Sequence, residues 1–237
     1  MRTKILLQSE LDAHKAWLDG GVPDAPGRLV LVETAFPRDD WYGKNLSGAR
    51  LEKCLAEGIK ARVIRLKKTE LVNCGFGKTD FHMSSFEAAQ VSGCDFSGAN
   101  LSSTVWDHAV VSGSQFDDAD FLLPTLHEAH FSICSFKGAK LGGMKAEGVV
   151  FENCDFANAD FTGTQLQNAV FRHCDLRGVN LKVASWNNVT LEACKMAGSR
   201  GPVKSMTGLD AKASDLSPEG DGSLRGKASD LLELWGE

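Results

Sequence analysis

The chain has 237 residues, 43% of them hydrophobic and 24% charged, and its formal net charge at pH 7 is −5. Because a general nucleic-acid binder needs a basic surface, this mildly acidic balance argues against direct binding to nucleic acid. No stretch is long and apolar enough for a membrane span, and the apolar run Ile5–Leu7 is too short for a secretory signal, so we expect a cytoplasmic protein.

Residues 1–45 are predicted to form an N-terminal cap with one short helix. A capping-box-like arrangement begins at Ser9, and Gly20-Gly21 should end the helix. The apolar stripe of this helix consists of Leu11, Trp17 and Leu18. We expect the helix to cover the open end of the fold that follows, because an uncovered end would expose backbone groups and core. Docking of a partner protein on the helix is the alternative.

Residues 50–68 carry more basic than acidic side chains. The basic residues are Arg50, Lys53, Lys60, Arg62, Arg65, Lys67 and Lys68, against Glu52 and Glu57. A solvated end face is one interpretation of this segment. A docking site for an acidic partner is the other.

A repeat of five residues dominates the chain from Leu66 to Met196. Every fifth residue of this segment is large and apolar, with Ala146 as the small exception, and the residue two positions earlier is mostly small. A period of five fits neither the 3.6-residue helix nor the two-residue strand. A single repeat cannot bury its apolar residues but stacked coils can, so the sequence predicts a solenoid.

The cysteines indicate how many repeats make one coil. All of them belong to the small series, and each is separated from the next by four repeats or by twice that number. They are Cys54, Cys74, Cys94, Cys134, Cys154, Cys174 and Cys194. Four repeats per coil therefore give a rod with four faces. A straight ladder of sulfur atoms is poor geometry for disulfides and for zinc, so we expect reduced thiols that fill the core, and no metal or other cofactor.

The repeat resembles the pentapeptide-repeat family, whose loose motif is A(D/N)LXX. Ala99-Asn100-Leu101-Ser102-Ser103 and Ala159-Asp160-Phe161-Thr162-Gly163 match this motif, as does Ala119-Asp120-Phe121 over its first three positions. The resemblance implies an all-β fold, a right-handed quadrilateral β-helix, here with short α-helical caps at both ends. The predicted segments are the N-terminal cap 1–45, the β-helix 46–200 and the C-terminal cap 201–237.

The middle of the rod is acidic. Between Thr79 and Phe136 there is no Lys or Arg but eight Asp or Glu residues. The acidic residues predicted to bind a partner are Asp80, Glu87, Asp95, Asp107, Asp117, Asp118, Asp120 and, further along, Asp160. Columns of carboxylates at the spacing of stacked coils, about 4.8 Å, resemble a DNA duplex in sign and size. Solubility of a repeat protein is the alternative explanation.

Two apolar features are predicted to face outward. One is the pair Leu122 and Leu123. The other is a column of Val110, Val150 and Val170, with His130 between them. Exposed apolar strips indicate a contact surface, although β-branched residues also favour strands without any partner.

The C-terminal segment begins with the breaker cluster Gly198–Pro202. An amphipathic helix is predicted beyond it, because apolar residues recur there at helical spacing. These residues are Leu224, Ala228, Leu231, Leu232 and Trp235. The helix would seal the far end of the rod or pair two subunits, and the family resemblance favours a homodimer through this segment.

The sequence offers little for catalysis. His127-Glu128-Ala129-His130 lacks the spacing of a helical zinc-protease motif, and we found neither a phosphate-binding loop nor a nucleophile elbow. We therefore expect a protein that is not an enzyme. An enzymatic role would require a pocket around His108, His127 and His130.

Two functions follow from the family resemblance. The chain is similar to the gyrase-protecting members, the Qnr and MfpA type, in length, Phe-rich repeats and acidic body. This similarity implies a DNA mimic that binds DNA gyrase or topoisomerase IV and gives antibiotic or toxin resistance. The unbroken register leaves no room for projecting loops, so the chain would be a loopless member, and its basic segment departs from uniform acidity. The alternative is a scaffold or adaptor for protein–protein interaction, for example an accessory of a bacterial secretion or effector system.

Overall fold

The computed structural model describes residues 1–20, 27–36, 40–212, 214–215, 225–226, 229 and 235. Near the start of the chain lies the helix α1 (Gln8–Gly20). No helix within these described ranges is long and apolar enough to cross a membrane. The strands are β1 (Arg2–Thr3), β2 (Val30–Val32), β3 (Thr34–Ala35), β4 (Arg50–Glu52), β5 (Glu70–Val72), β6 (Gln90–Ser92), β7 (Val110–Ser112), β8 (His130–Ser132), β9 (Lys145–Glu147), β10 (Val150–Glu152), β11 (Gln165–Gln167), β12 (Val170–Arg172), β13 (Ser185–Asn187), β14 (Thr190–Glu192), β15 (Ser205–Thr207), β16 (Asp210–Lys212), β17 (Ser214–Asp215) and β18 (Arg225–Gly226).

The strands stack with a constant register of one coil, which corresponds to four repeats. Leu51 pairs with Leu71 and Phe151 with Phe171, in both cases in parallel. A ten-stranded sheet has the order β16-β14-β12-β10-β8-β7-β6-β5-β4-β2, and a four-stranded sheet has the order β15-β13-β11-β9. The chain therefore forms a parallel β-solenoid of about nine turns, which confirms the predicted β-helix and its coil of four repeats.

Each coil has four sides, which we call faces A to D. Face A contains residues 80–83 and their equivalents in the other coils, and faces B, C and D contain 85–88, 90–93 and 95–98 with their equivalents. The ten-stranded sheet lies on face C, and the four-stranded sheet lies on face B in the second half of the rod. Single parallel bridges such as Asp80↔Asn100 and Asp95↔Gln115 connect the coils on faces A and D.

The two inward series fill the rod, as the sequence predicts. The large series is buried throughout, and its aromatic rings stack from coil to coil. Phe96 and Phe116 lie parallel with ring centroids 5.0 Å apart, and Phe136 and Phe156 lie 4.8 Å apart. Such stacks combine burial of large apolar surface with favourable ring geometry. The core is therefore one continuous column along the rod axis.

The seven cysteines are free and buried in the small inward series. Their thiols contact carbonyl oxygens of the preceding coil, as Cys154 Sγ does at 3.5 Å from Phe131 O. A hydrogen bond with the neighbouring Cys74 thiol, together with burial, raises the pKa of Cys54. A thiol of this kind is a packing group and a poor nucleophile.

Two devices recur at the corners of the rod. The residue two positions after each large inward residue has a positive φ, at every fifth position from Gly43 to Gly198. This conformation turns the chain and lets the residue donate its N–H to the next coil, as Met83 does to the carbonyl of Ser102 at 3.0 Å. In addition, an Asp or Asn just before the large residue accepts a hydrogen bond from the N–H two positions later, as Asp160 does from Thr162.

Helix α1 is held on the N-terminal end of the solenoid by the buried side chain of His14. Its Nδ1 accepts a hydrogen bond from the Leu29 N–H at 3.0 Å, and its Nε2 lies 3.0 Å from the Ser47 carbonyl oxygen. Because Nδ1 is an acceptor, the proton of the neutral ring lies on Nε2 and is donated to Ser47. The Trp17 ring covers Gly48, where an added Cβ would lie 2.8 Å from a ring carbon. The predicted helix therefore contacts the first coil.

The solenoid extends into both predicted cap segments. Strand β2, from segment 1–45, pairs with β4, and β16, from segment 201–237, pairs with β14. At the C-terminal end Trp235 is buried, donates its Nε1–H to Ser199 Oγ at 2.9 Å, and packs against Trp186. The predicted C-terminal helix has four more residues in its apolar stripe. All four lie outside the described part of the chain. They are Leu224, Ala228, Leu231 and Leu232.

Protonation of His14 is expected to weaken the N-terminal cap. Burial lowers the pKa of His14, and the charge of Arg28 acts in the same direction. An unfolded histidine titrates at about pH 6.5, so the unfolded chain takes up a proton first as the pH falls. The stabilising contribution is therefore complete above about pH 6.5 and is lost as the pH falls toward the folded pKa. Thermal unfolding measured between about pH 8 and about pH 5 should show this loss, and His14→Gln should flatten it; equal pH dependence in both proteins would contradict it.

The corner carboxylates are expected to contribute stability through their oxygens and not through their charge. Asp160 Oδ1 accepts hydrogen bonds from the Thr162 N–H at 3.0 Å and from Asn180 Nδ2 at 3.1 Å. Asp160→Ala removes both bonds and a third one from the Thr162 hydroxyl, and it should lower the free energy of unfolding by about 1 kcal/mol or more. Asp160→Asn keeps an acceptor oxygen and should cost clearly less. Urea unfolding compares the two variants, and an equal loss in both would assign the effect to charge.

Candidate protein-binding surfaces

The acidic residues of the middle form a band around three faces of the rod. We call this set the acidic band. Face A carries Asp80 and Asp120, face B carries Glu87, Asp107 and Glu128, and face D carries Asp95, Asp117 and Asp118. Face C has no charged residue in the same coils, all of which the structure describes. The predicted acidic residues of this band therefore lie in three neighbouring coils, but they point outward on three different faces.

Asp160 lies outside the acidic band, on the same column of face A. The parallel bridges of this column join Asp80, Asn100, Asp120, Lys140 and Asp160 in order. A neutral or basic residue therefore separates each carboxylate from the next. The column is mixed in charge, and the negative charge of the band comes from three faces together.

The carboxylates of the acidic band are half-buried, apart from the exposed Asp118 and Glu128. Several use one oxygen to hold a corner or a neighbouring coil. Asp120 accepts from the Leu122 N–H at 3.1 Å, and Asp107 accepts from the His127 N–H at 2.9 Å. Hydrogen bonds of this kind orient the carboxylate while leaving its charge at the surface.

The sign of the surface charge reverses abruptly on the N-terminal side of the band. The preceding coil carries Lys60 and Arg62 on face A and Arg65, Lys67 and Lys68 on face B. Two contacts join the coils of opposite sign: Lys67 Nζ lies 2.6 Å from Glu87, and Arg62 lies 3.9 Å from Asp80. Both pairs are solvent-exposed enough to contribute little to stability. The negative charge of the other carboxylates in the band is not compensated from this basic coil.

The predicted apolar contacts lie at two separate places. Val110, Val150 and Val170 share a column of face C with His130, and Val110 is 45% exposed. The column is flat and uncharged, as the sequence suggests. It is one strip of the ten-stranded sheet.

Leu122 and Leu123 lie on face A and its corner. Leu122 Cδ2 is 3.1 Å from the place where a Cβ on Gly142 would be, and Leu123 Cδ2 is 2.6 Å from the same place on Gly143. Both side chains therefore cover backbone of the following coil, which two glycines leave bare. Even so, Leu123 remains 63% exposed.

One apolar surface contains the predicted contact residue Leu123, but its other members were not predicted from the sequence. Val63, Met83, Leu123 and Val183 all stand at the corner between faces A and B, with exposures of 38%, 59%, 63% and 48%. Each has a positive φ, between 52° and 59°. We call these four residues the apolar edge. Ile133, on the corner after face C, is the one other large apolar side chain at a corner between residues 43 and 198, all of which the structure describes.

The left-handed conformation makes the apolar edge costly. It is unfavourable by about 1–2 kcal/mol for a residue with a Cβ, and most unfavourable for β-branched side chains such as Val63 and Val183. Of the other corners from Gly43 to Gly198, twelve carry Gly and five carry Asn, whereas ten carry Ala, Lys, Ser, His, Asp or Glu. A third sequence series, two positions after each large residue, would have revealed this contrast.

The three histidines considered for catalysis contact different groups and do not converge on one site. His108 Nδ1 lies 3.3 Å from Glu128, His127 Nδ1 accepts from the Glu147 N–H at 3.1 Å, and His130 lies on face C, across the corner from the other two. A shallow groove of about 680 Å³ on face B reaches His127, but neither His108 nor His130. Within the described residues no group of three His, Cys, Asp or Glu side chains is arranged to hold a metal ion.

Comparison with known structures returned other repeat solenoids. HetL, a pentapeptide repeat protein of Nostoc sp. strain PCC 7120 involved in heterocyst differentiation regulation, is 18% identical over 93% of this chain and 100% of its own, with a TM-score of 0.36. QnrB1, a plasmid-mediated fluoroquinolone resistance protein, is 16% identical over 87% of this chain and 96% of its own, with a TM-score of 0.36. A pentapeptide repeat protein of the Arabidopsis thaliana thylakoid lumen is 20% identical over 61% and 74%, with a TM-score of 0.26.

Two family models match the sequence itself. The model for pentapeptide repeats in eight copies matches residues 94–132, and the model for a pentapeptide repeat region matches residues 124–200. No curated protein matches the chain. The two matches fall within the unbroken five-residue register that the structure shows to be a four-sided solenoid. The chain therefore belongs to the pentapeptide-repeat family.

Proposed function

We propose that this protein acts without catalysis, as a short DNA mimic that binds DNA gyrase or topoisomerase IV. Its biological effect would be to protect the topoisomerase from an antibiotic or toxin, or to inhibit it. The proposal places the protein in the bacterial cytoplasm, where these enzymes work. The chain itself would not contact nucleic acid.

The charge density of the acidic band is the observation that carries the proposal. The eight carboxylates lie between Asp80 and Glu128, without an intervening Lys or Arg. The whole stretch without Lys or Arg, from Thr79 to Phe136, spans about three coils, or about 14 Å along the axis at about 4.8 Å per coil. Duplex DNA carries one negative charge per about 1.7 Å of axis, hence about eight over the same length. A basic groove that accommodates DNA would therefore meet a similar number of charges.

The alternative function, a scaffold or adaptor for protein–protein interaction, is supported by the uncharged part of face C. Its column of Val110, Val150 and Val170 offers an apolar strip, of which Val110 lies in the coils of the acidic band and the other two lie beyond it. Homodimerisation through the C-terminal segment is compatible with either function. The burial of Trp235 within its own chain means that other side chains of that segment would have to form the dimer contact.

Inhibition of gyrase supercoiling tests the proposed function. The purified protein should inhibit supercoiling, or relieve the effect of a fluoroquinolone, at micromolar concentration in low salt, and inhibition should weaken as salt rises from about 50 to about 200 mM. A band variant changes five Asp residues to Asn: Asp95, Asp107, Asp117, Asp118 and Asp120. This change keeps the acceptor oxygens of the corners but removes five charges. Inhibition should fall by about tenfold or more.

A control variant removes five charges outside the acidic band. It carries Glu147→Gln, Glu152→Gln, Asp155→Asn, Asp160→Asn and Glu192→Gln, and so has the same net charge as the band variant. We expect this control to inhibit like the wild type. An equal loss in both variants would mean that net charge alone matters, and no inhibition by the wild type in low salt would end the proposal.

A further inference from the structure

The apolar edge has features that neither the core nor the corners of the rod require. Val63, Met83 and Leu123 expose apolar surface in a backbone conformation that Gly or Asn adopts with less strain. Four of the five large apolar corner residues, with Val183 as the fourth, stand on this one corner. Neither burial nor turn formation explains that concentration. A contact with another molecule does.

We propose that the apolar edge binds a basic amphipathic helix of a partner protein. The charges beside the edge support this choice of partner. Beside Met83 and Leu123, Asp80 and Asp120 lie on the face A side, and Glu87 and Asp107 lie on the face B side. Val63 lies in the basic coil and Val183 follows Lys182, so the acidic flanks belong to the middle of the edge. An apolar strip with carboxylates on both sides is complementary to a helix whose apolar stripe has Lys or Arg along both margins.

The spacing of the edge matches a helix that lies along the rod. Met83 and Leu123 are two coils apart, or about 9.6 Å. Residues seven apart in an α-helix are separated by about 10.5 Å along its axis. The whole edge, from Val63 to Val183, covers six coils, or about 29 Å, the length of about 19 helical residues. Its acid-flanked part, from Met83 to Leu123, would contact about two turns of the helix, and the Lys or Arg residues of the partner are needed there.

The edge also contains a notch for a large side chain of the partner. Between Leu123 and Val183 the corner positions are Gly143 and Gly163. The Leu123 side chain extends over Gly143, but no atom lies within 4 Å of the place where a Cβ on Gly163 would be. The surface is therefore open at Gly163, between the Leu123 side chain and Val183, and it adjoins the groove of face B that Lys145 and Lys204 also line.

The carboxylates in the middle of the edge disfavour two other occupants. A second copy of this chain, paired in register along the edge, would bring carboxylate against carboxylate, which is unfavourable. Nucleic acid would be repelled by the same groups. The inference does not rest on topoisomerase binding, because the edge residues are apolar and are not needed to imitate a duplex.

Peptide binding tests the inference on the whole protein. The probe is a fluorescent 21-residue helical peptide, about the length of the edge, with Leu at the a and d positions of each heptad and Lys or Arg beside them. Two control peptides replace Leu by Ser, or Lys and Arg by Glu. Fluorescence anisotropy should show micromolar binding of the basic Leu peptide and at least about tenfold weaker binding of both controls.

Glycine substitutions on the apolar edge relieve backbone strain and remove the exposed side chains. They therefore show whether these side chains bind a partner or stabilise the rod. The triple variant Met83→Gly, Leu123→Gly and Val183→Gly should weaken binding of the basic Leu peptide by about tenfold or more. Its thermal midpoint should stay unchanged or rise, since glycine fits a positive φ. Ile133→Gly is the matched control, because it removes an exposed apolar side chain from a corner of the same conformation.

Several results would overturn the inference. They are undiminished peptide binding by the triple variant, an equal loss with Ile133→Gly, or equal binding of the Ser-substituted peptide. Self-association of the wild type that the triple variant abolishes would assign the edge to a second copy instead. Gyrase inhibition measured on the triple variant separates the two proposals: it should persist if the acidic band alone binds the topoisomerase.

Discussion

The structure depends on a turn in the left-handed conformation at every fifth residue. This turn is present at each such position from Gly43 to Gly198. At each turn from Gly43 to Asn188 an N–H is donated to the next coil, so the corners also keep the parallel ladder in register from one coil to the next. A single missing turn would shift every later side chain between inside and outside, in the way that a register slip does in a sheet. The continuous aromatic core is possible only because this never happens.

A rod of this kind determines which side chains face outward but not their chemistry. Corner formation explains why an acceptor oxygen stands before many of the large residues, as at Asp80 and Asp120. It does not explain why the acceptor is charged, since Asn100 makes the same contact with the Ser102 N–H. It explains still less why Lys and Arg are missing from Thr79 to Phe136, nearly three consecutive coils. The turns need acceptor oxygens but not negative charge. The excess of carboxylates is therefore the surface feature that a function has to explain.

The features that depend on the repeat can be predicted from the sequence. The inward positions recur every five residues and must carry apolar or small side chains, so they form a visible pattern. The coil of four repeats and the inward position of Phe96 and Cys154 follow from that period. The role of His14 does not, because it depends on Leu29 and Ser47 meeting one ring across the start of the solenoid. The distribution of the acidic residues over faces A, B and D follows from the register once the coil is known. The conformational strain at Val63 and Val183 could not be inferred from hydropathy, which carries no information about φ.

The acidic band and the apolar edge place different demands on the same corner. Imitation of a duplex requires negative charge at a suitable density, and it would work as well with Gly at positions such as Met83 and Leu123. Such a sequence would avoid about 1–2 kcal/mol of left-handed strain per position. A helix-binding surface requires both the carboxylates and the exposed side chains between them. The strained apolar residues are thus accounted for by contact with a partner's apolar stripe, and the charges beside them by its basic margins.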